Sequence, residues 1–180
     1  MLVLGVDPGS YQCGWGIIKK EGNRFAHIDH GVFALNKNES LHERLGKLFT
    51  STNDIIEKYN PSVLAIEKSF VAKNIGVAMK LGQVRGVIMV AGVLKGISVF
   101  EYSPNEIKLS LVGYGHASKA QMQKMAKAIL GLTELPQTDA ADALAVGICH
   151  LQQSRLTSKL SSIERRYDRI PSWKFVPKRP

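Results

Sequence analysis

Residues 2–10 read Leu-Val-Leu-Gly-Val-Asp-Pro-Gly-Ser, and this stretch decides the fold. The apolar run over 2–6 contains β-branched valines and predicts a short strand, which the turn sequence Asp-Pro-Gly-Ser ends. Asp7 is therefore predicted at the carboxyl end of a strand, where side chains project into the crevice in which sheet-based sites collect. Taken alone, Asp-Pro-Gly is also an ordinary turn sequence.

A second carboxylate follows a second apolar strand. Val-Leu-Ala-Ile over 63–66 comes after the Asn-Pro-Ser break at 60–62, and Glu67 follows directly. If the two strands are parallel neighbours, Asp7 and Glu67 converge on one edge of the sheet. Because acidic side chains are seldom buried without a partner, Glu67 either belongs to a polar site or forms an ion pair with Lys68.

Two further acids stand three residues apart at a predicted helix start. Good helix formers over 139–146 follow Pro136 and Thr138, so Asp139 and Asp142 are predicted in the first turn of a helix. Side chains three residues apart share a helix face, with Cβ atoms roughly 5–6 Å apart. Acids in a first turn also suit the helix dipole, which is the alternative explanation for them.

The charge balance indicates a polyanionic partner. The 180 residues carry 24 Lys plus Arg against 15 Asp plus Glu, a net charge of +9, and setting the four candidate acids aside leaves +13. Such a surface favours nucleic acid, although net charge alone also fits a merely soluble basic protein. With 44% apolar residues, the chain is long enough for one domain with a sizeable core.

Four segments agree, in the same order, with those of one known family. They are Gly-Val-Asp-Pro-Gly-Ser (5–10), Ile-Glu-Lys-Ser-Phe-Val-Ala-Lys-Asn (66–74), Lys-Leu-Gly-Gln-Val-Arg-Gly (80–86) and Asp-Ala-Ala-Asp-Ala-Leu-Ala (139–145). Together they strongly resemble the RuvC family of Holliday-junction resolvases. The resemblance runs from residue 2 to about residue 151, and several agreeing segments are more specific than any single motif.

The resemblance implies a ribonuclease H-like fold, a homodimer, and magnesium-dependent nicking of two strands of a four-way DNA junction. It further implies 5′-phosphate products and cooperation with the RuvA and RuvB branch-migration proteins. By position, the family's catalytic acids match Asp7, Glu67, Asp139 and Asp142. Phe70 matches an aromatic residue that acts on the DNA, and Lys108 and Lys119 match basic residues of DNA handling and cleavage. Lys73, in the loop of Phe70, is a predicted phosphate contact.

The chemistry of the four acids explains why such a family needs them. Carboxylate oxygens are hard ligands that hold Mg²⁺, with Mn²⁺ as a substitute, and leave coordination positions for phosphate and water. Two ions per site are expected, with Asp7 bridging them and Glu67, Asp139 and Asp142 completing their shells. Without metal, four close carboxylates repel one another, which raises some of their pKa values.

The order of the predicted elements fits the same α/β fold class: a mixed sheet of three antiparallel strands followed by parallel strands, flanked by helices. A capping box at 40–43 opens the first helix. A helix near 74–95 is apolar on nearly all sides in its second half, which indicates either a central core helix or a dimer contact. Residues 1–155 are assigned to the nuclease domain. Residues 156–180, with seven Lys plus Arg and two acids, are assigned to a basic, flexible tail.

The remaining features predict the compartment. Cys13 and Cys149 lack the spacing of a zinc site and are predicted to be reduced core thiols. No signal-peptide pattern opens the sequence, and the longest apolar stretch, 87–94, is too short to span a bilayer. A cytoplasmic, non-membrane protein is therefore expected.

Three other functions remain open at this point. A sugar-kinase or actin-like ATPase is suggested by Gly5-Val6-Asp7-Pro8-Gly9 followed by Gly14-Trp15-Gly16, although such proteins generally need two such domains. A junction-binding protein that no longer cuts would gain affinity by losing its acids, because they repel phosphate. A relative that acts on RNA hybrids would share the same fold and chemistry.

Overall fold

The computed structural model describes residues 1–22, 24–68 and 74–167, with side chains as far as Ser154. Ten elements follow one another along the chain. They are β1 (Leu2–Asp7), β2 (Gln12–Glu21), β3 (Arg24–Ala34), α1 (Leu41–Tyr59), β4 (Val63–Glu67), α2 (Ile75–Leu94), β5 (Ser98–Tyr102), α3 (Pro104–Val112), α4 (Lys119–Leu130) and α5 (Thr138–Tyr167).

The five strands form one mixed sheet in the order β3-β2-β1-β4-β5. β1 pairs with β2, and β2 with β3, in antiparallel fashion, whereas β4 is parallel to β1 and β5 is parallel to β4. This confirms the predicted mixed sheet of three antiparallel strands followed by parallel ones. It also confirms that β1 and β4, which end in Asp7 and Glu67, are parallel neighbours.

The two faces of the sheet carry different helices. Leu4 and Ile66 pack in a cluster with α1 and α2, whereas Val3 and Ala65 pack in a cluster with α3, α4 and α5. Since successive side chains of a strand point to opposite faces, Asp7 lies on the same face as Val3. By the same alternation, Glu67 lies on the face of Ala65. Both acids are therefore on the face that α5 covers.

Helix α5 approaches β1 and β2 more closely than side chains would allow. A Cβ atom at Gly5 would lie 2.2 Å from the carbonyl oxygen of Ala143, and one at Gly14 would lie 1.8 Å from that of Asp139. Contacts this short are impossible, so both positions require glycine. The absence of these two side chains sets the depth at which α5 rests on the sheet.

Helix α2 combines a buried side with an exposed apolar side. Val84 and Ile88 are buried against the sheet and α1, whereas Val90, Val93 and Leu94 are 51%, 64% and 69% exposed. Within the described ranges, α2 is the one helix whose length and composition would allow it to cross a membrane. The expectation of a core helix holds for one side of α2 only.

The predicted boundary at residue 155 does not coincide with the end of an element. Helix α5 continues to Tyr167, so the backbone is helical over the first part of the segment 156–180. Residues 168–180 lie outside the described residues. The division into a nuclease domain and a basic tail stays a prediction.

Substituting Gly14→Ala should lower the free energy of unfolding by about 2 kcal/mol or more, because the added methyl group overpacks the contact with α5. Urea denaturation measures the change. Gly82→Ala, at an exposed position of α2 with nothing within 4 Å, is the matched control and should stabilise by up to about 1 kcal/mol. A Gly14→Ala protein as stable as the wild type would show that α5 does not rest on β2 in this way.

Candidate active site

Acidic and basic side chains from five elements line one cavity of about 280 Å³ at the edge of the sheet where β1 and β4 end. Asp7 and Glu67 come from the two strands and Asp142 from α5, while Lys108 of α3 and Lys119 of α4 complete the charged set. The structure thus brings together three of the four predicted acids and both predicted lysines. Apolar and small residues form the rest of the wall: Pro104, Ile107, Ala117, Met122 and Ala145.

Asp7 is the most perturbed of the acids. Its carboxyl is largely buried, and this desolvation is the main cause that raises its pKa from 3.8 to about 8. The neighbouring charges of Glu67 and Asp142 raise the pKa further, and a hydrogen bond joins the carboxyls of Asp7 and Glu67. The same hydrogen bond lowers the pKa of Glu67, so it acts on the two carboxyls in opposite directions.

Glu67 and Asp142 are perturbed in the same direction. Burial raises the pKa of Glu67, as does the charge of Asp142, whereas Lys119 and Lys108 partly offset the rise. Burial also raises the pKa of Asp142, with the ammonium of Lys119 acting against it. The two lysines therefore offset only part of the rise in these pKa values.

Asp139 stands at the margin of this group. It lies in the first turn of α5 and is half-buried, and its charge raises the pKa of both Asp7 and Asp142. It does not line the cavity. Asp139 and Asp142 were both predicted in the first turn of this helix. Because α5 begins at Thr138, Asp139 occupies the first turn and Asp142 lies just beyond it.

The two lysines differ in how they meet the acids. The Nζ atom of Lys119 lies 3.5 Å from Oδ2 of Asp142, and the Lys119 side chain is 78% exposed. Lys108 acts on Glu67 through its charge. The predicted alternative of a Glu67–Lys68 ion pair is absent from the part of the chain that the structure describes. The charge of Lys68 acts on Glu106 instead.

The donor set fits a divalent cation. In the described ranges, no three His, Cys, Asp or Glu side chains are grouped closely enough to hold a metal ion. Burial is the main cause of the raised pKa values of Asp7, Glu67 and Asp142, and repulsion by neighbouring acids adds to it. A hard cation would remove this repulsion, and carboxylate oxygens are the ligands that Mg²⁺ prefers. Asp7, Glu67 and Asp142 are the residues placed to hold it, with Asp139 beside them.

Some sequence predictions fall elsewhere. Phe70 and Lys73 lie outside the described residues, so their predicted DNA contacts stay predictions. His150 shares a buried hydrogen bond of 2.7 Å with the hydroxyl of Tyr102 and takes no part in the acidic cavity, as its distance along the helix predicted. The apolar wall formed by Ile107 and Met122 was missed, because sequence periodicity assigns both residues to the core.

Comparisons with known proteins agree on one family. Residues 3–150 match the family described as crossover junction endodeoxyribonuclease RuvC. A crossover junction endodeoxyribonuclease RuvC from Geobacter sp. (strain M21) is 47% identical over 163 residues, which cover 91% of this chain and 99% of that relative. The structure of T. thermophilus RuvC in complex with Holliday junction substrate superposes with a TM-score of 0.83 at 31% identity, over 87% of this chain and 96% of that one.

A more distant structure shares the fold. The yeast mitochondrial Holliday junction resolvase superposes with a TM-score of 0.68 at 14% identity and covers 92% of this chain and 83% of that chain. The five-stranded mixed sheet flanked by helices has a ribonuclease H-like fold, and the family match makes the chain a nuclease. The chain belongs to the RuvC family of crossover junction endodeoxyribonucleases, and it is an endonuclease. The ATPase alternative is therefore set aside.

The stability of the metal-free protein should fall as the pH rises from about 4 to 8. The pKa of Asp7 is raised from 3.8 to about 8, so in this window the folded state retains a proton that the unfolded state has released, and the free energy of unfolding decreases with pH. Asp7→Asn should reduce this decrease and stabilise the metal-free protein at pH 8 by roughly 1–3 kcal/mol. Thermal unfolding with chelator present measures both effects.

Asp54→Asn, which removes an exposed carboxylate from α1, is the control and should leave the pH dependence unchanged. Equal pH profiles for the wild type and Asp7→Asn would contradict the burial of a proton at Asp7.

Proposed function

We propose that this protein resolves four-way DNA junctions in homologous recombination and repair, as a homodimer that makes two symmetric, Mg²⁺-dependent nicks. The observation that carries the proposal is the cavity in which three half-buried acids face two lysines, in a chain of the RuvC family. The RuvC of T. thermophilus was solved with Holliday junction substrate bound, and it covers 87% of this chain. That similarity supports the same substrate here.

The four acids would hold the metal. Asp7, Glu67 and Asp142, with Asp139 beside them, would bind Mg²⁺, with Mn²⁺ as a substitute and two ions per site expected. When bound, such ions activate the attacking water and stabilise the leaving oxygen. Nucleases of this family generally depend on divalent metals.

The lysines and the apolar wall would act on the phosphodiester itself. Lys119 is exposed and only loosely paired with Asp142, so its ammonium is free to turn towards a phosphate oxygen. Lys108 lies across the same cavity, next to Glu67. Ile107 and Met122 give the cavity an apolar wall beside these groups, and a less polar surrounding would strengthen the electrostatic contacts.

The homodimer has a candidate interface on the other face of the sheet. The exposed apolar side of α2 continues into a groove lined by Leu45 and Phe49 of α1 and by Val87 and Val90 of α2. Exposed apolar surface of this kind marks interaction sites. A two-fold dimer through this face would leave both acidic cavities open, and its symmetry would match the two same-polarity strands of a junction.

The cellular setting follows as part of the proposal. The two cysteines, Cys13 and Cys149, are both free and buried, which fits a reducing compartment such as the cytoplasm. Cooperation with the RuvA and RuvB branch-migration proteins and products that end in 5′-phosphates are expected of a member of this family. Contact with membranes is not part of the proposed function.

A synthetic four-way junction and a linear duplex of the same arm sequence test the activity. With Mg²⁺, paired symmetric nicks should form in the junction only, and chelator should abolish them. Asp7→Asn should lower the nicking rate at least about 100-fold, because it removes a ligand, while junction binding in chelator persists. Junction binding without nicks by the wild type would indicate an architectural protein. Cleavage of the duplex or of an RNA hybrid would indicate a different nuclease with this fold.

Val90→Glu should dissociate the proposed homodimer, because it places a charge in the apolar groove between α1 and α2. Sedimentation should show a dimer for the wild type and a monomer for the variant, with similar thermal stability, since Val90 is 51% exposed. Met125→Glu, at an exposed position of α4, is the control and should remain dimeric. A dimeric Val90→Glu protein would place the interface elsewhere.

A further inference from the structure

A tyrosine on the catalytic edge of the sheet carries two cations. Tyr11 lies just before β2, four residues after Asp7, and is 40% exposed. The guanidinium carbon of Arg44 lies 4.5 Å from the centroid of the Tyr11 ring, and the Nζ atom of Lys37 lies 5.7 Å from it. Cations within about 6 Å of an aromatic ring are held by its quadrupole.

Arg44 holds the Tyr11 ring and the neighbouring turn in place. It is only 5% exposed, although it carries a full charge, and its Nη1 atom donates a hydrogen bond of 2.6 Å to the carbonyl oxygen of Ser10. Its Nε atom is buried and has no hydrogen-bond partner among the described residues. The guanidinium thus anchors the turn that follows Asp7 and supports the Tyr11 ring.

The charge of this group is not neutralised locally. The two nearby acids of the same region have other partners: Glu39 pairs with Lys47, and Glu43 caps α1 through Ser40. Neither Arg44 nor Lys37 has an ion pair with a carboxylate in the ranges that the structure describes. A buried charge without a counter-ion is costly, so this edge favours an external anion.

The position suits a second contact with the same nucleic acid. Tyr11 and Lys37 border a shallow cavity together with Ser10, Gln12, Ala34 and Leu35, where β2 begins and β3 ends. This is the edge at which β1 ends in Asp7, since Asp7 pairs with Gly14 and Gln12 with Ala34. Neighbouring strands are about 4.8 Å apart, so the cavity lies on the order of 10 Å from the acids.

We propose that Lys37, held by the Tyr11 ring beside the Arg44 guanidinium, binds a backbone phosphate of the DNA close to the bond that is cut. This inference rests on the proposed function, because the DNA is the junction that the acidic cavity cleaves. Lys37 supplies the charge, Tyr11 orients its ammonium, and Arg44 is a positioning residue that does not touch the DNA.

Junction binding in chelator, measured by fluorescence anisotropy across a range of salt concentrations, tests this interaction. The slope of log Kobs against log salt falls by roughly 0.9 for each phosphate that the protein no longer neutralises. Lys37→Gln should therefore reduce the slope by about that amount and weaken binding about threefold to tenfold. Lys19→Gln removes the same charge at the opposite end of the sheet, where Lys19 pairs with Leu2 of β1, and should leave the slope unchanged.

Tyr11→Ala tests whether the Tyr11 ring has to orient the Lys37 ammonium or whether the charge of Lys37 alone is sufficient. In the Lys37→Gln background it should cost little further affinity, whereas alone it should weaken binding about as much as Lys37→Gln does. Thermal unfolding checks that each variant is folded. Equal slopes for Lys37→Gln and Lys19→Gln would overturn the inference, and additive effects of the two substitutions at Tyr11 and Lys37 would overturn the role of Tyr11. If the wild type nicked junctions with Mg²⁺ while Lys37→Gln kept the wild-type salt slope, only this inference would fail, and the proposed function would stand.

Discussion

The close approach of α5 to β1 and β2 is the interaction on which the rest of the site depends. This packing requires glycine at positions 5 and 14, because a Cβ atom at either position would overlap the backbone of α5. With α5 at this depth, Asp142 reaches the cavity at the ends of β1 and β4, and the charge of Asp139 is felt by Asp7. A helix held farther out by side chains would leave Asp7 and Glu67 as an isolated pair. The backbone packing therefore creates the acidic cluster.

The same packing destabilises the ionised forms of the carboxyl groups at the site. Desolvation by burial is the main reason why the pKa of Asp7 is raised to about 8. The pKa values of Glu67 and Asp142 are raised for the same reason. A stable apolar edge would avoid this cost, and a protein that only bound DNA would be better served by fewer acids. Groups that destabilise the folded chain and are relieved by a ligand are typical of functional sites. The repulsion among these carboxylates is thus best explained by the divalent cation that the proposed chemistry needs.

Sequence reasoning could predict the parts of this site that follow from local patterns. The apolar runs of the two strands, together with the breaks after Val6 and before Val63, predicted two acids at one edge, and β1 and β4 are indeed parallel neighbours. The depth of α5 could not be predicted, because Gly5 and Gly14 show no local sign of the helix that packs on them. Arg44 was missed for a related reason: a single arginine on an amphipathic helix is normally solvated, and nothing nearby in sequence indicates the Ser10 carbonyl that it binds.

The acidic cavity and the apolar groove lie on opposite faces of the sheet. The acidic cavity opens among α3, α4 and α5, whereas the apolar groove lies between α1 and α2 on the other face. Tyr11 and Lys37 lie at the edge that connects the two, because Arg44, which supports them, belongs to α1. In the proposed homodimer, a DNA strand that runs from the cavity towards a partner on the α1 and α2 face would cross this edge. A cation held there would then contact the strand between the bond that is cut and the proposed two-fold axis.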